Sequence, residues 1–214
     1  MAFADWFFEQ TANATANLTA TDPLFGSSSL ELSMDSSVSN QGQAGYVMDS
    51  AVPLGITRGK VRTLLNKKVS GFASNLYAAG IFCLAEDTDF GSNAATNSYM
   101  AIVDESSGDV TLRYTTISGP SGGTVFDTAD ISFTNNLTIG LELEWNVDFT
   151  NIGGTQFIVR TGTMTDFSDL SEVINYIDPT VRTINGYEGI VMMQDFATTP
   201  GVWYFDQTSV FTIS

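Results

Sequence analysis

Two glutamates separated by one residue are the first candidates for acid–base chemistry. Glu142 and Glu144 alternate with apolar residues in the stretch 137–147, a pattern that places both carboxyl groups on one face of a strand, about 7 Å apart along the backbone. Retaining glycoside hydrolysis uses two carboxyl groups about 5–5.5 Å apart, so the spacing permits a catalytic pair. We favour the alternative, a polar sheet face whose acids pair with basic residues of a neighbouring strand.

Basic residues concentrate in one short segment. Five of the eight lysines and arginines lie between positions 58 and 68, and three of them, Arg58, Lys60 and Arg62, alternate along the chain. Such a strand can dock an acidic partner surface or an anionic glycan, so these three are candidate partner-docking residues. In the alternative, which we favour, the strand lies beside an acidic strand and forms cross-strand ion pairs.

Oxygen-bearing side chains crowd the segment 86–93, which contains Glu86, Asp87, Asp89 and Asn93. Calcium takes carboxylate and carbonyl oxygens from loops, so Asp87 and Asp89 are the candidate metal ligands. Their spacing does not match the helix–loop–helix calcium motif. A solvated turn is the alternative, and calcium is the one cofactor that the sequence leaves open.

Three aromatic residues near the C-terminus are candidates for binding sugars. The rings of Tyr187, Trp203 and Tyr204 would form a platform on which a sugar stacks, if they lie on one exposed surface. The alternative is that they fill the core, where the aromatic residues of strands more often lie.

A second group of aromatic residues lies at the N-terminus. Phe3, Trp6, Phe7 and Phe8 fall within the first eight positions, and a stretch rich in Thr, Ala and Asn follows. One interpretation is an apolar arm on a tether, together residues 1–25, which docks the chain onto a partner. The other is an edge strand folded back onto the main domain, and the sequence leaves both open.

Composition excludes several classes of function. The 214 residues include no histidine and one cysteine, which excludes Ser/His and Cys/His nucleophile pairs and an intrachain disulfide. Cys83 lies in an apolar run, so we expect a buried, unreactive thiol. The net charge of −16 opposes binding to nucleic acid and to anionic membranes. Because the sequence shows no secretory signal and no membrane-spanning stretch, we expect synthesis in the cytosol.

Strands must position these residues, because apolar and polar residues alternate over much of the chain. The clearest strand is 137–147, whose odd positions are all apolar and which a glycine turn connects to a partner strand. A continuous apolar run at 76–84 predicts a strand covered on both faces. Gly108 predicts a hairpin turn between strands at 99–103 and 110–116.

One helix is predicted in an otherwise all-β chain. Phe167, Leu170, Ile174 and Ile177 recur at helical spacing, with Asp and Ser residues that can cap the start. We therefore predict an antiparallel β-sandwich of residues 26–214 that contains one short helix.

The strand order resembles the concanavalin-like, or laminin-G-like, jelly-roll superfamily. The resemblance covers about residues 28–214 and rests on GIF at 80–82, SYMAIV at 98–103, SGDVTL at 107–112, the strand 137–147 and the terminal strand 203–210. It implies a jelly-roll β-sandwich. The superfamily includes lectins, adhesion modules, some glycosidases and accessory domains of phage particles, so the fold alone does not decide the function.

The low lysine content, the Ser/Thr/Gly/Asn-rich turns and the aromatic N-terminus are similar in style to tailed-phage virion proteins. We therefore predict a non-enzymatic structural protein of a bacteriophage virion, in capsid decoration, at a vertex or associated with the tail. It would be made in the host cytoplasm, dock onto other virion proteins through its arm and act as a homo-oligomer. The alternative is a glycan-binding adhesion module that contacts host surface sugars. A weaker alternative is a glycosidase that uses Glu142 and Glu144.

Overall fold

All regular secondary structure in the described part of the chain is β-strand. The structure, a computed structural model, describes residues 7–10, 14–20, 23–34, 43–48, 56–67, 76–85, 97–104, 107–116, 123–134, 136–182, 186–195 and 201–213. The strands in these ranges are β1 (Phe7–Gln10), β2 (Ala14–Thr19), β3 (Ser29–Met34), β4 (Gln43–Met48), β5 (Arg58–Lys67), β6 (Leu76–Ala85), β7 (Asn97–Asp104), β8 (Asp109–Thr116), β9 (Thr124–Asp130), β10 (Ile139–Asp148), β11 (Gly154–Gly162), β12 (Ser171–Asp178), β13 (Tyr187–Asp195) and β14 (Gly201–Thr212).

These strands form two antiparallel sheets. Sheet A has the order β1-β4-β13-β6-β7-β8-β9, and sheet B has the order β12-β11-β10-β5-β14-β3-β2. The two sheets share one apolar core, so the chain is the antiparallel β-sandwich that the sequence predicts. The final strand β14 lies in the middle of sheet B, between β5 and β3. Residues distant in sequence therefore meet on the outer face of that sheet.

The alternation of β10 sets the two faces of sheet B. Leu141, Leu143 and Trp145 are fully buried in the core, whereas Glu142 and Glu144 point to the outer face because successive side chains of a strand alternate. The strand predicted from the period-two pattern is confirmed. Its core-facing side chains belong to the same apolar cluster as Phe157, Trp203, Phe205 and Tyr99.

Strand β6 is buried on both faces, as its continuous apolar run predicts. Residues 78–85 are all buried. Ile81 belongs to the core between the sheets, and Phe82 belongs to a second, smaller apolar cluster with Met100. Cys83 is fully buried and unpaired, and burial, followed by the charge of Glu188, raises the pKa of its thiol. A raised thiol pKa suppresses the reactive thiolate, in agreement with the expected unreactive cysteine.

The predicted helix is wrong. The segment 163–170 consists of turns, and the residues that follow form strand β12, which pairs with β11. Ile174 is buried in the core, whereas Ile177, three residues later, is 43% exposed. A strand places these two positions on opposite faces, and the β-branched residues Val173, Ile174 and Ile177 favour extended backbone. Pairing with a neighbouring strand outweighed the helical spacing.

The hairpin predicted at Gly108 is confirmed. Strand β7 pairs with β8, and the Gly108 amide donates to the carbonyl of Asp104 over 3.0 Å. Gly108 has a φ of 76°, which a residue with a side chain adopts only with strain.

The N-terminal segment contributes strands to both sheets. Residues 7–10 form β1, which pairs with β4, and residues 14–19 form β2, which pairs with β3. The pairing of these two segments is the arrangement that the edge-strand interpretation describes. Phe3 and Trp6 lie outside the described residues, so the arm and its docking role stay a prediction.

Candidate functional site

The outer face of sheet B carries an ion-pair group of Lys60, Glu142, Glu144 and Arg160. The Nζ of Lys60 lies 2.9 Å from Oε2 of Glu142. Nη1 of Arg160 lies 2.8 Å from Oε1 of Glu142 and 2.8 Å from Oε2 of Glu144. The basic strand β5 therefore lies beside the acidic strand β10, as the favoured alternative predicts.

Both glutamates of the candidate catalytic pair are held as ion-pair partners. The side chain of Glu142 is 4% exposed and contacts two cations. Burial lowers the pKa of Arg160, but hydrogen bonds to Glu144 and Glu142 raise it above its ordinary value. Both oxygens of Glu142 and one oxygen of Glu144 are engaged by cations, which hold the two side chains against the sheet. The geometry therefore supports a structural role for Glu142 and Glu144.

Arg62 does not join this group, although it lies opposite Glu142 in the strand register. Its guanidinium carbon lies 4.6 Å from the ring centroid of Phe167 and 4.8 Å from that of Phe211. Its Nε is buried and has no hydrogen-bond partner. No described residue forms an ion pair with Arg62, so its Nε remains a buried donor without an acceptor among the described residues.

Arg62 opens onto a pocket of about 470 Å³ on the outer face of sheet B. We call it the Arg62 pocket. Its lining combines aromatic rings, one cation, two carboxylates, an amide and a hydroxyl, from Phe25, Arg62, Asp166, Phe167, Asp206, Gln207 and Ser209. Arg58 is exposed at the start of β5 and does not line this pocket.

The loop between β11 and β12 brings Phe167 over Arg62. Asp169 closes this loop, because its carboxylate accepts hydrogen bonds from the Thr163 amide at 2.7 Å and the Met164 amide at 3.0 Å. These bonds lower the pKa of Asp169. The Phe167 ring then lies on β10 above Gly140, where an added Cβ would lie 3.0 Å from a ring carbon. The missing side chain at position 140 leaves room for the ring.

A bulge in β14 positions the other side of the pocket. The register with β5 shifts between Asp206 and Ser209. The Asp206 carboxylate accepts hydrogen bonds from the amide of Phe25 at 2.9 Å, the hydroxyl of Ser29 at 2.9 Å and the amide of Gln207 at 2.7 Å. Asp206 thereby fixes the turn before β3, and Phe25, which is 51% exposed, lies at the rim.

Two residues of the pocket have left-handed backbone. Phe167 has a φ of 61° and Gln207 a φ of 49°. Such conformations are unfavourable for residues with side chains and persist where the surrounding structure enforces them, often at ligand sites. The two lie on different elements but meet in one pocket, and left-handed backbone also occurs outside it, at Leu84, Ser132 and Asn136.

The three predicted sugar-stacking residues do not form one platform. Trp203 is fully buried in the core and stacks on Phe133 with ring centroids 5.6 Å apart. Tyr204, the next residue, points to the opposite face and donates its hydroxyl hydrogen bond to Glu31 at 3.0 Å. Tyr187 lies in sheet A. The alternation of β14 separates Trp203 from Tyr204, and the sequence reasoning missed Phe25 and Phe167.

The candidate calcium ligands Asp87 and Asp89 lie outside the described residues. Within the described ranges, no group of three or more His, Cys, Asp or Glu side chains is placed to hold a metal ion. The predicted calcium site therefore stays a prediction. In the same ranges, no helix has the length and apolar character needed to span a membrane.

A second arginine on aromatic rings has a carboxylate partner. The guanidinium of Arg182 lies 3.9 Å from the ring centroid of Tyr114, and its Nε donates to Oδ2 of Asp178 at 2.7 Å. The hydroxyl of Tyr99 donates to the same oxygen at 2.7 Å, and the Thr180 amide donates to Oδ1 at 2.9 Å. We call Tyr99, Tyr114, Asp178 and Arg182 the Asp178 clamp.

The clamp also shifts the ionisation of its members. Burial, followed by the hydrogen bond to Asp178, raises the pKa of Tyr99 far above its usual range. Burial raises the pKa of Asp178, but hydrogen bonds from Arg182, Thr180 and Tyr99 outweigh it, so the net shift is downward. The Asp178 clamp is therefore a closed structural unit with its carboxylate ionised.

Comparison with known proteins shows similarity of structure only. No protein-family profile matches the chain, and no curated protein matches it in sequence. The exoplasmic/lumenal domain of VIP36 in its Ca²⁺/Man3GlcNAc-bound form superposes with a TM-score of 0.61 at 11% identity, over 100% of this chain and 86% of that one.

Two further structures have the same fold. The carbohydrate-binding module CBM66 from Bacillus subtilis has a TM-score of 0.54 at 15% identity, over 94% of this chain and 96% of that module. The marine PL-14 alginate lyase from Aplysia kurodai has a TM-score of 0.61 at 12% identity, over 99% and 92%. The chain is thus a concanavalin-like β-sandwich. These likenesses do not bear on the virion role, which stays a prediction.

Proposed function

We propose that this chain is a carbohydrate-binding domain of the lectin type. The observation that carries the proposal is the Arg62 pocket, which is lined by an exposed aromatic ring and by an arginine whose Nε has no acceptor among the described residues. Sugar sites need an apolar surface for the C–H face of a sugar ring and polar groups for its hydroxyls. Phe25 offers the first, and Arg62, Asp166, Gln207 and Ser209 offer the second.

The size and the fold support the same proposal. A pocket of about 470 Å³ lies within the range of roughly 300–1,000 Å³ that is usual for small ligands. Among the sandwiches that share the fold, one is recorded with a bound mannose-containing glycan and another is named a carbohydrate-binding module. Function resides in the site rather than in the fold, so these likenesses support the proposal without deciding it.

We further propose binding without hydrolysis. A lyase shares the fold, so the sandwich is compatible with catalysis. The best candidates for acid–base chemistry, Glu142 and Glu144, are both bridged by Arg160. A pair held in this way is suited to stabilising the sheet, and the proposed ligand pocket lies around Arg62 instead.

A glycan array probed with the purified full chain tests the proposal, with calcium present and again with a chelator. We expect selective binding to a small set of saccharides that remain unshortened after prolonged incubation. Loss of binding on chelation would support the predicted calcium site at Asp87 and Asp89. Absence of binding to every saccharide in both conditions would overturn the carbohydrate-binding proposal, and shortened products would overturn the non-enzymatic part.

A further inference from the structure

We propose that the Arg62 pocket binds the carboxylate of an acidic sugar unit, with Arg62 as the receptor of that carboxylate. This inference rests on the proposed carbohydrate-binding function and names its site and its ligand class. It starts from the unusual state of one arginine in a very acidic protein.

Arg62 has no acidic partner within the described ranges, although acids are abundant in the chain. The chain has 24 acidic and 8 basic residues, and Glu142 lies directly opposite Arg62 in the register. Lys60 and Arg160 nevertheless take both oxygens of Glu142. Glu142 is therefore already paired with two other cations, and the Nε of Arg62 is buried without an acceptor among the described residues.

The aromatic contacts determine how a ligand can reach Arg62. The rings of Phe167 and Phe211 lie 4.6 and 4.8 Å from its guanidinium carbon. A guanidinium directs its N–H groups within its own plane, so a ligand reaches its donors at the edge of the group. A planar carboxylate that approaches this edge accepts two parallel hydrogen bonds, which a neutral hydroxyl does not.

The two carboxylates that line the pocket do not take the place of a ligand carboxylate at Arg62. Asp206 already accepts three hydrogen bonds, from Phe25, Ser29 and Gln207. Asp166 is exposed at the rim and accepts a hydrogen bond from the Ser168 amide at 3.0 Å, which leaves it acceptor capacity for sugar hydroxyls. The exposed ring of Phe25 offers a surface for the sugar ring itself.

The overall charge limits the size of the ligand. A net charge of −16 repels long polyanions, since every additional charge outside the pocket faces an acidic surface. The preferred ligand is therefore a short acidic saccharide with few carboxylates, one of which pairs with Arg62 while hydroxyl groups contact the rim.

Isothermal titration calorimetry of the full chain with trigalacturonate tests the inference. The matched probes are the same trisaccharide with its carboxyl groups reduced to alcohols, and a sulfated neutral trisaccharide. The variants are Arg62→Met, Arg62→Lys and, as a control with the same charge change on the same strand, Arg58→Met. Thermal unfolding of each variant confirms that it is folded.

We expect trigalacturonate to bind best and Arg62→Met to weaken it by about tenfold to a hundredfold, as for a lost charge-assisted pair. Arg62→Lys keeps the charge without the planar fork, so it should also bind more weakly, whereas Arg58→Met should bind as the unaltered chain does. Preferred binding of the reduced or the sulfated probe would overturn the carboxylate assignment and leave carbohydrate binding intact. Trigalacturonate binding unaffected by Arg62→Met would overturn the site. No binding to any saccharide would overturn both proposals.

Discussion

Arg62 and Arg182 both lie over aromatic rings, and among the described residues Arg182 has a carboxylate partner whereas Arg62 has none. Arg182 lies over Tyr114 and donates to Asp178, whereas Arg62 lies between Phe167 and Phe211 with a buried Nε that no acceptor reaches. The cation–π contact is common to both and does not separate their roles. The carboxylate does, because Asp178 accepts a hydrogen bond from Arg182 within the fold, whereas we propose that Arg62 donates to a ligand.

The largest loss of stability is expected when Asp178, the carboxylate partner of Arg182, is replaced. Asp178 is 2% exposed in its side chain and accepts hydrogen bonds from Tyr99, Thr180 and Arg182. Asp178→Ala leaves these donors without an acceptor, so we expect a loss of about 3 kcal/mol or more in the free energy of unfolding. Urea denaturation followed by tryptophan fluorescence measures it.

Asp178→Asn is the matched control for that loss. It keeps the shape and one carbonyl acceptor but removes the charge, so it should fall between the unaltered chain and Asp178→Ala. Equal stability of all three proteins would show that the Asp178 clamp does not stabilise the sandwich. Arg182 would then have no structural role to contrast with Arg62.

The sequence predicts the strands of this sandwich better than it predicts the clamp or the pocket. Period-two alternation identifies β10, and the basic alternation of β5 correctly predicts cross-strand pairs with Glu142. Alternation along a strand is a local property, so one sequence suffices to detect it. The helix predicted over β12 is wrong because the pairing of β12 with β11 is a non-local contact, which a local pattern does not reveal.

The pocket depends on contacts that no local pattern encodes. Phe25 is held by Asp206, 181 positions away along the chain, and Phe167 reaches Arg62 only because Gly140 leaves room beneath its ring. Arg62 and Lys60 look equivalent in sequence. Glu142, the acid opposite Arg62, instead pairs with Lys60 of the same strand and with Arg160 of β11.

The pH dependence of stability is expected to distinguish Arg182, which pairs with Asp178, from Arg62. The pKa of Asp178 is lowered in the folded protein, so its ionised form contributes stability above the unfolded value of about 3.9. That contribution is lost as the pH falls through the lower folded value. The stability difference between the unaltered chain and Asp178→Asn should therefore shrink as the pH is lowered from about 6 towards 2.

Stability measured over the same pH range for Arg62→Met provides the comparison with Asp178→Asn. Arg62 has no carboxylate partner among the described residues, so its replacement should change stability by an amount that does not vary with pH over this range. Unfolding midpoints in urea at several pH values measure both variants. A pH-dependent difference for Arg62→Met would reveal an acidic partner for Arg62 and remove the distinction between the two arginines.

The smallest effect is expected when Arg62 is replaced at neutral pH. Arg62→Met loses stacking on Phe167 and Phe211, worth about 0.5–2 kcal/mol, but it also removes a buried donor without an acceptor, which costs about 1–3 kcal/mol. Because these contributions oppose each other and methionine fills similar space, we expect a net change within about 1 kcal/mol. A loss above about 2 kcal/mol would mean that Arg62, like Arg182, mainly holds the fold together. A near-neutral change together with weakened saccharide binding would mean that the stacked guanidinium is retained for its ligand.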